Sequence, residues 1–241
     1  MSTPDIPPAP RIIARCHPAL AALLPEPQTA RAALPDWLRT MPAQTPADTL
    51  NGDPVRTLKH CPPFLDALSL GLMMPLATDL HFDRGAVSWD WDPPVLPDTA
   101  LSRAPIALHL PEQAKGAPYP LAVNSILKFI NFWTLETPPG TSLLFTHPLN
   151  REDLPFRTLS GVVDCDLFRD GYVHFPALWL DRDFTGTLPA GTPIAQVIAL
   201  PRGTSPDLEV TVMTDTQIAA NRRLQDDLAT TPGTYRKRFR H

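Results

Sequence analysis

The chain has 241 residues with a formal net charge of −4, and 43% of its residues are hydrophobic. This length suits one large domain with extensions, and so mild a negative charge argues against nucleic-acid binding as a general property. Proline accounts for 31 residues, more than twice the usual share of about 5%. Because proline interrupts helix interiors, the composition predicts a mainly β protein with short strands and proline-rich loops.

The cysteines and the apolar runs indicate the compartment. Cys16, Cys61 and Cys165 are scattered and form no CxxC pair, which is typical of a reducing, cytoplasmic location rather than a disulfide framework. The amino terminus has no positively charged segment followed by an apolar run, and no run of about 18 apolar residues occurs. The sequence therefore predicts neither a signal peptide nor a membrane span.

Residues 1–56 are rich in proline, and we expect them to form an extended arm that wraps the core. Residues 11–24 predict a short strand followed by a short helix that starts near Pro18. One helical turn is expected within residues 29–39.

Residues 57–214 are predicted to form the β domain. Asp83-Arg84-Gly85 predicts a hairpin turn, because the next residues alternate between apolar and polar. Residues 123–136 are rich in β-branched and aromatic residues and predict one long buried strand, with a helix as the alternative for a run of this length. Residues 92–120 are predicted to be mostly loop, and residues 62–71 a turn or short helix. Other strands are predicted over residues 72–82, 86–91, 141–145, 162–164, 172–180 and 193–200.

Residues 215–241 are predicted to form a helix followed by a basic tail. The helix is expected over residues 216–229, with Asp215 or Thr216 as its N-cap. The tail, YRKRFRH, suits phosphate or nucleic acid, although such tails are more often solvated or docked on an acidic partner. We therefore expect no specific nucleic-acid partner.

Two stretches carry the clearest motifs. Residues 160–166 (SGVVDCD) read as an apolar strand that ends in a turn with two acids, and residues 191–198 (GTPIAQVI) read as a turn followed by a strand. In this order and spacing, after the turn Pro138-Pro139-Gly140, they resemble signature segments of the dUTPase and dCTP deaminase superfamily. The resemblance covers about residues 120–202 and extends to phage and bacterial proteins of unknown function. It implies a dUTPase-like β-clip fold, a barrel or sandwich, and a homotrimer.

The resemblance also implies roles for particular residues. Asp164 lies where the family holds a water or the sugar 3′-hydroxyl, and a carboxylate there can act as a base. Gln196 lies where the family contacts the phosphates, and Asp166 is a second acid on the same turn. Thr146, His147 or Arg151 would have to replace the family's phosphate-gripping Arg-Ser-Gly segment. No cofactor is predicted, except Mg²⁺ if the chain hydrolyses nucleotides.

Several positions depart from the family pattern. Leu167 replaces the tyrosine that stacks on the deoxyribose, and residues 145–151 contain no Arg-Ser pair. Pro148 also removes a backbone N–H from that segment. The glycine-rich carboxyl-terminal arm is replaced by the basic tail. These departures disfavour ordinary dUTPase activity.

Other patterns favour structural roles. Asp164 and Asp166 equally suit a turn in which Asp side chains cap backbone N–H groups. Cys165 between two acids is expected to be a packed residue, because nearby negative charge raises a thiol pKa. The seven histidines lack zinc-ligand spacing, so no metal site is predicted, although His147 and His174 flank the motif strands.

Two functions remain open at this point. The first is a diverged, non-catalytic oligomer with a structural or ligand-binding role. The second is a hydrolase or deaminase of a nucleotide or related phosphorylated small molecule, with Asp164 as the base and Gln196 and Arg151 as contacts. The segment 145–151 distinguishes them: a concave pocket formed with Asp164 across a subunit boundary favours the enzyme, and a space filled by Pro148 and Leu149 disfavours it.

Overall fold

The computed structural model describes residues 9–96, 102–119, 126–181, 183–231 and 233–239. The chain forms two compact units, the first ending at Arg202 and the second beginning at Gly203. The first unit contains sixteen strands, all paired antiparallel, among its described residues. The predicted mainly β class is confirmed. No helix in the described ranges has the length and apolar character that a bilayer crossing needs.

The strands are short, as the proline content predicts. In chain order they are β1 (Ile13–Arg15), β2 (Gln28–Thr29), β3 (Gln44–Pro46), β4 (Pro54–Arg56), β5 (Leu72–Pro75), β6 (Leu80–Asp83), β7 (Ala86–Ser88), β8 (Ile106–His109), β9 (Ile126–Phe129), β10 (Thr134–Glu136), β11 (Thr141–Thr146), β12 (Phe156–Thr158), β13 (Gly161–Val163), β14 (Phe175–Trp179), β15 (Gly186–Leu188) and β16 (Pro193–Pro201). The helices are α1 (Asp36–Thr40), α2 (Pro62–Ser69), α3 (Asp215–Thr230) and α4 (Thr234–Phe239), with 3₁₀ turns at Pro18–Leu20, Asp48–Leu50, Leu58–His60 and Pro111–Ala114.

Two sheets organise the first unit. The central sheet has the order β13-β11-β16-β5-β2, and a four-stranded sheet has the order β12-β14-β9-β8. A three-stranded sheet, β15-β6-β7, and the pairs β1–β10 and β3–β4 complete the strands, and none of these sheets closes on itself among the described residues. Apolar side chains from the two larger sheets share one core, in which Phe129 and Phe156 lie edge to face with ring centroids 4.9 Å apart.

The predicted hairpin is confirmed. Asp83 pairs with Ala86 across a two-residue turn that joins β6 to β7. Arg84 and Gly85 both adopt positive φ, 48° and 84°, which is the geometry whose twist matches that of the flanking strands.

The prediction of one long strand over residues 123–136 is wrong. Residues 126–129 and 134–136 form β9 and β10, which belong to different sheets, and residues 123–125 lie outside the described residues. The buried Asn131 separates the strands: its Nδ2 donates to the carbonyls of Trp133 (2.7 Å) and Val173 (3.1 Å), and its Oδ1 accepts from Trp133 N. The side chain takes over backbone hydrogen bonds that a sheet would otherwise supply.

Other element boundaries also differ from the predictions. The strand predicted over residues 72–82 is divided between β5 and β6. Leu76 N bonds to Thr192 O, so the regular pairing of β5 with β16 ends before Leu76. Residues 106–109 form β8 inside a predicted loop. The N-cap of α3 is Thr214 rather than Asp215 or Thr216, because Gln217 returns a bond to Thr214 N at 2.8 Å and so completes a capping box.

The second unit contains α3 and α4. Thr234 is buried, and its Oγ1 donates to Asp227 O (3.1 Å), while Arg238 pairs with the Asp227 carboxylate. The residues predicted as a basic tail lie in helix α4 as far as Phe239. Residues 240 and 241 fall outside the described residues.

Candidate functional site

Strand β11 lies between the two motif strands. In the central sheet β13 pairs with one side of β11 and β16 with the other, so that Leu144 is opposite both Val162 and Ile198. The candidate residues nevertheless separate into two groups. Asp164 contacts Ser142 at the start of β11, whereas Gln196 is opposite Thr146 at its end. Four residues of strand correspond to about 13 Å.

The first group, which we name the acidic turn, comprises Asp164 and Asp166 with Ser142, Gly140 and Arg202. Asp164 Oδ1 accepts from Ser142 Oγ at 2.6 Å, and Asp164 Oδ2 lies 3.7 Å from Arg202 Nε. Asp166 pairs with Arg202 Nη2 and accepts from Gly140 N at 2.8 Å. These contacts connect the turn after β13 with the turn before β11 and the end of β16.

The two acids have different environments. The Asp166 side chain is 6% exposed, whereas that of Asp164 is 47% exposed. Burial opposes ionisation of Asp166, but the Gly140 N–H and the Arg202 guanidinium outweigh it and hold the pKa below its usual value. Burial, assisted by the charges of Asp164 and Asp166, raises the pKa of the Cys165 thiol to about 11, so this residue is a neutral, packed side chain, as predicted.

The acidic turn predicts a pH signature. A carboxylate whose pKa is lowered by folding stabilises the protein above its unfolded pKa of about 3.9, and this stabilisation is lost as the pH falls through the folded pKa. We therefore expect Asp166→Asn to lower the free energy of unfolding at pH 7, and the difference from wild type to shrink below about pH 4. Urea titrations between pH 2.5 and 7 measure this difference.

Asp170→Asn is the matched control, because the Asp170 side chain is 93% exposed on the same loop. It should leave the pH profile of stability unchanged. A difference between Asp166→Asn and wild type that stays constant down to pH 2.5 would contradict the role assigned to the Asp166 charge.

The second group, which we name the β11 loop, comprises residues 146–151, at the end of that strand and directly after it. Thr146 Oγ1 lies 2.8 Å from Ser160 Oγ. His147 Nδ1 accepts from Thr158 N (3.3 Å), so that Nε2 carries the hydrogen that it donates to Arg151 O (3.0 Å). Burial lowers the pKa of His147, which keeps the imidazole neutral in this tautomer.

Arg151 forms an internal ion pair. The residue is 8% exposed, and its Nε and Nη2 donate to the two oxygens of Asp153 at 2.8 and 2.9 Å. Trp37 Nε1 donates to the same carboxylate at 3.2 Å. Burial favours the neutral acid, but Arg151 outweighs it and lowers the pKa of Asp153. The guanidinium therefore already holds an anion, which belongs to the protein itself.

Gln196 is fully buried and uses both ends of its amide. Its Oε1 accepts from Leu149 N at 2.7 Å, and its Nε2 donates to Ala67 O (2.9 Å) and Leu70 O (2.6 Å). These carbonyls belong to the last turn of α2 and the residue after it, where helix acceptors outnumber intrahelical donors; Ala67 O also accepts from Leu70 N at 3.4 Å. The side chain thus caps α2 and holds the β11 loop, a role that no sequence signal indicated.

Across the described part of the chain, no three His, Cys, Asp or Glu side chains are placed to hold a metal ion. His174, which sequence reasoning singled out with His147, accepts from Asn131 N at 3.2 Å. Two surface hollows, one lined by Leu20 and Phe132 and the other by Met73 and Pro193, include none of the six predicted site residues.

The packing of Pro148 and Leu149, within residues 145–151, bears on which of the two functions is favoured. Pro148 is buried and Leu149 is half-buried, and Leu149 N is bonded to Gln196. No protein-family model and no curated protein sequence matches the chain.

Proposed function

We propose that this chain is a non-catalytic structural or ligand-binding protein, built on a diverged dUTPase-like scaffold and acting as a cytoplasmic homo-oligomer. The observation that supports the proposal best is the buried amide of Gln196, whose hydrogen bonds to Leu149, Ala67 and Leu70 are all internal. A phosphate contact needs an amide that faces solvent or ligand. Arg151 and His147 were the other candidates for phosphate contacts. Their side chains likewise bond to groups of the protein itself, the Asp153 carboxylate and Arg151 O.

One observation favours the alternative, a nucleotide hydrolase or deaminase with Asp164 as base. The Asp164 side chain is about half exposed, and among the described residues its Oδ2 has only the 3.7 Å approach of Arg202. This oxygen can still accept a proton from a water or a hydroxyl. In that case Mg²⁺ would accompany a triphosphate substrate, and the missing contacts would have to come from a neighbouring subunit of the proposed homotrimer.

A nucleotide panel distinguishes these functions. The protein is incubated with ribo- and deoxyribonucleoside triphosphates and Mg²⁺, and both the melting temperature and the release of pyrophosphate or ammonia are followed. We expect no turnover with any nucleotide. A rise in melting temperature without turnover identifies a ligand for a binding protein.

Asp164→Asn is the decisive variant, because it keeps an acceptor for Ser142 and removes the base. Turnover by wild type that Asp164→Asn abolishes would overturn the non-catalytic proposal. Asp170→Asn, on an exposed position of the same loop, controls for a general effect of lost charge.

A further inference from the structure

Strand β8 ends the four-stranded sheet, and it lacks the features that usually protect a sheet edge. It comprises Ile106–His109, and β9 is its only partner strand among the described residues. The strand contains no Lys, Arg, Asp, Glu or Pro. Charged side chains, prolines or very short length usually keep an edge strand from pairing with another chain. The free side of β8 is therefore open to a further strand.

The other terminal strands of the two larger sheets are better protected. β2 has only two residues, and β12 has three, with the exposed Arg157 at its centre. β13 also has three residues and runs directly into Asp164. β8 has four residues, and neither the strand nor the residue on either side of it is charged. Among these edges β8 is thus the longest.

The pairing of β8 with β9 shows which backbone groups face outward. In an antiparallel ladder, alternate residues direct both backbone groups to the same neighbouring strand. Ile130 N donates to Pro105 O at 2.9 Å, which places Pro105 among the residues that bond to β9. Two positions along an alternating ladder, Ala107 bonds to β9 as well. Ile106 and Leu108 therefore direct their N–H and C=O groups to the free edge.

The side chains on the core face of β8 are apolar, and one of them is uncovered. Ile106 belongs to the shared core and is 7% exposed. Leu108 lies on the same face, two positions on, but is 62% exposed, whereas Leu127 opposite it on β9 is 5% exposed. A strand added beyond β8 would cover Leu108 and pair with the outward backbone groups.

The strand is its own complement. When two copies of β8 pair antiparallel about a twofold axis at Ala107, Ile106 of one lies opposite Leu108 of the other, and each opposed pair can exchange both N–H···O bonds. The next outward N–H, that of Leu110, is already bonded to Gln113 Oε1 at 2.9 Å, which favours this register. Ala107 then faces its counterpart in a closely spaced pair, where the Cα atoms are about 4.5 Å apart and a small side chain fits.

We propose that two copies of this chain pair along β8 about a twofold axis at Ala107, so that their four-stranded sheets become one continuous sheet. The contact uses the same surface on both copies, closes at two, and leaves neither β8 edge open. Two identical uncharged strands also meet without like-charge repulsion. The proposal deepens the oligomeric part of the proposed function and rests on it. If the chain also forms the proposed homotrimer, the contact joins two trimers, so the number of copies is even in either case.

Light scattering on the full chain tests the β8 contact. We expect a wild-type mass of two or six copies, which Leu108→Lys halves, because the lysine meets an apolar face and the like charge of its counterpart. Val162→Lys is the matched control, since it makes the same change of charge at a 60% exposed residue on the β13 edge. It should keep the wild-type mass. Because Leu108 is itself exposed, circular dichroism should show Leu108→Lys folded.

The failure of the contact and the failure of the oligomeric function are distinguishable. An oligomer whose mass Leu108→Lys leaves unchanged overturns the β8 contact alone, and so does a wild-type trimer. A wild-type monomer overturns both the β8 contact and the oligomeric function.

A single cysteine tests the register without charge on the edge. In Ala107→Cys, mild oxidation should give a covalent dimer on a non-reducing gel, because the Cα separation of a closely spaced pair lies within the range that a disulfide spans. Leu108→Cys should give none, since it meets its counterpart only diagonally, at about 7–8 Å. Wild type controls for the native thiols of Cys16, Cys61 and Cys165. The absence of the Ala107→Cys dimer, or a Leu108→Cys dimer in its place, overturns the twofold axis at Ala107.

Discussion

Gln196→Glu is expected to destabilise the fold by about 4 kcal/mol at pH 7, because it places a carboxylate against carbonyls that now receive hydrogen bonds. Gln196 is fully buried, and its Nε2 donates to Ala67 O and Leu70 O. The glutamate cannot donate when ionised. Chemical denaturation at pH 7 measures the loss.

The same variant carries a pH signature. Burial raises the folded pKa of the new carboxyl above its unfolded value of about 4.3. A group whose pKa rises on folding stabilises most below the unfolded pKa, and the contribution is lost as the pH rises through the folded pKa. The deficit should therefore be smallest near pH 4, where the protonated acid can donate to one carbonyl and accept from Leu149 N.

Gln44→Glu is the control, since Gln44 is an exposed strand residue that receives the same change of charge. It should leave stability nearly unchanged. If Gln196→Glu costs no more than Gln44→Glu, then the Gln196 amide is not the internal cap described here, and a ligand role for this residue becomes tenable again.

Gly71→Ala is expected to cost about 4 kcal/mol, the sum of a left-handed backbone and an overpacked contact. Gly71 has a φ of 74°, and a Cβ at this position would lie 2.0 Å from the carbonyl oxygen of Val197. The obstacle is backbone of the central sheet, which cannot rotate away as a side chain can. Thermal and urea unfolding measure the loss.

Gly52→Ala separates the two contributions. Gly52 has a comparable φ of 87° but nothing within 4 Å of the added Cβ. It should cost about 1 kcal/mol, which is the conformational part alone. Equal losses for the two variants would contradict the steric contact between Gly71 and β16.

Gly71 and Gln196 act at the same place. Gly71 allows the residues after α2 to approach Val197 closely, and the neighbouring Gln196 then bonds to Leu70 O and Ala67 O. The family resemblance assigned Gln196 to a ligand, whereas in this structure it holds α2 and the β11 loop. Sequence spacing gave no indication of this, because 126 positions separate Gln196 from Leu70.

Local chemistry made several features predictable. The proline content and the alternating apolar residues predicted short strands, and Arg84-Gly85 predicted its hairpin, because these depend on the conformational preferences of a few neighbouring residues. The same reasoning failed at Asn131, whose side chain bonds to the carbonyls of Trp133 and Val173 and so separates β9 from β10. One of these partners lies 42 positions away.

By itself, then, the sequence determined the β class, the hairpin, the helix that follows Thr214 and the packed character of Cys165, which follow from local backbone preferences and nearby charge. Only the tertiary structure decided which polar groups are available for chemistry. It pairs Arg151 with Asp153, joins Asp166 to Arg202 and buries the amide of Gln196. A side chain's partners depend on which distant strands pair, and that pairing is fixed by how the whole core packs.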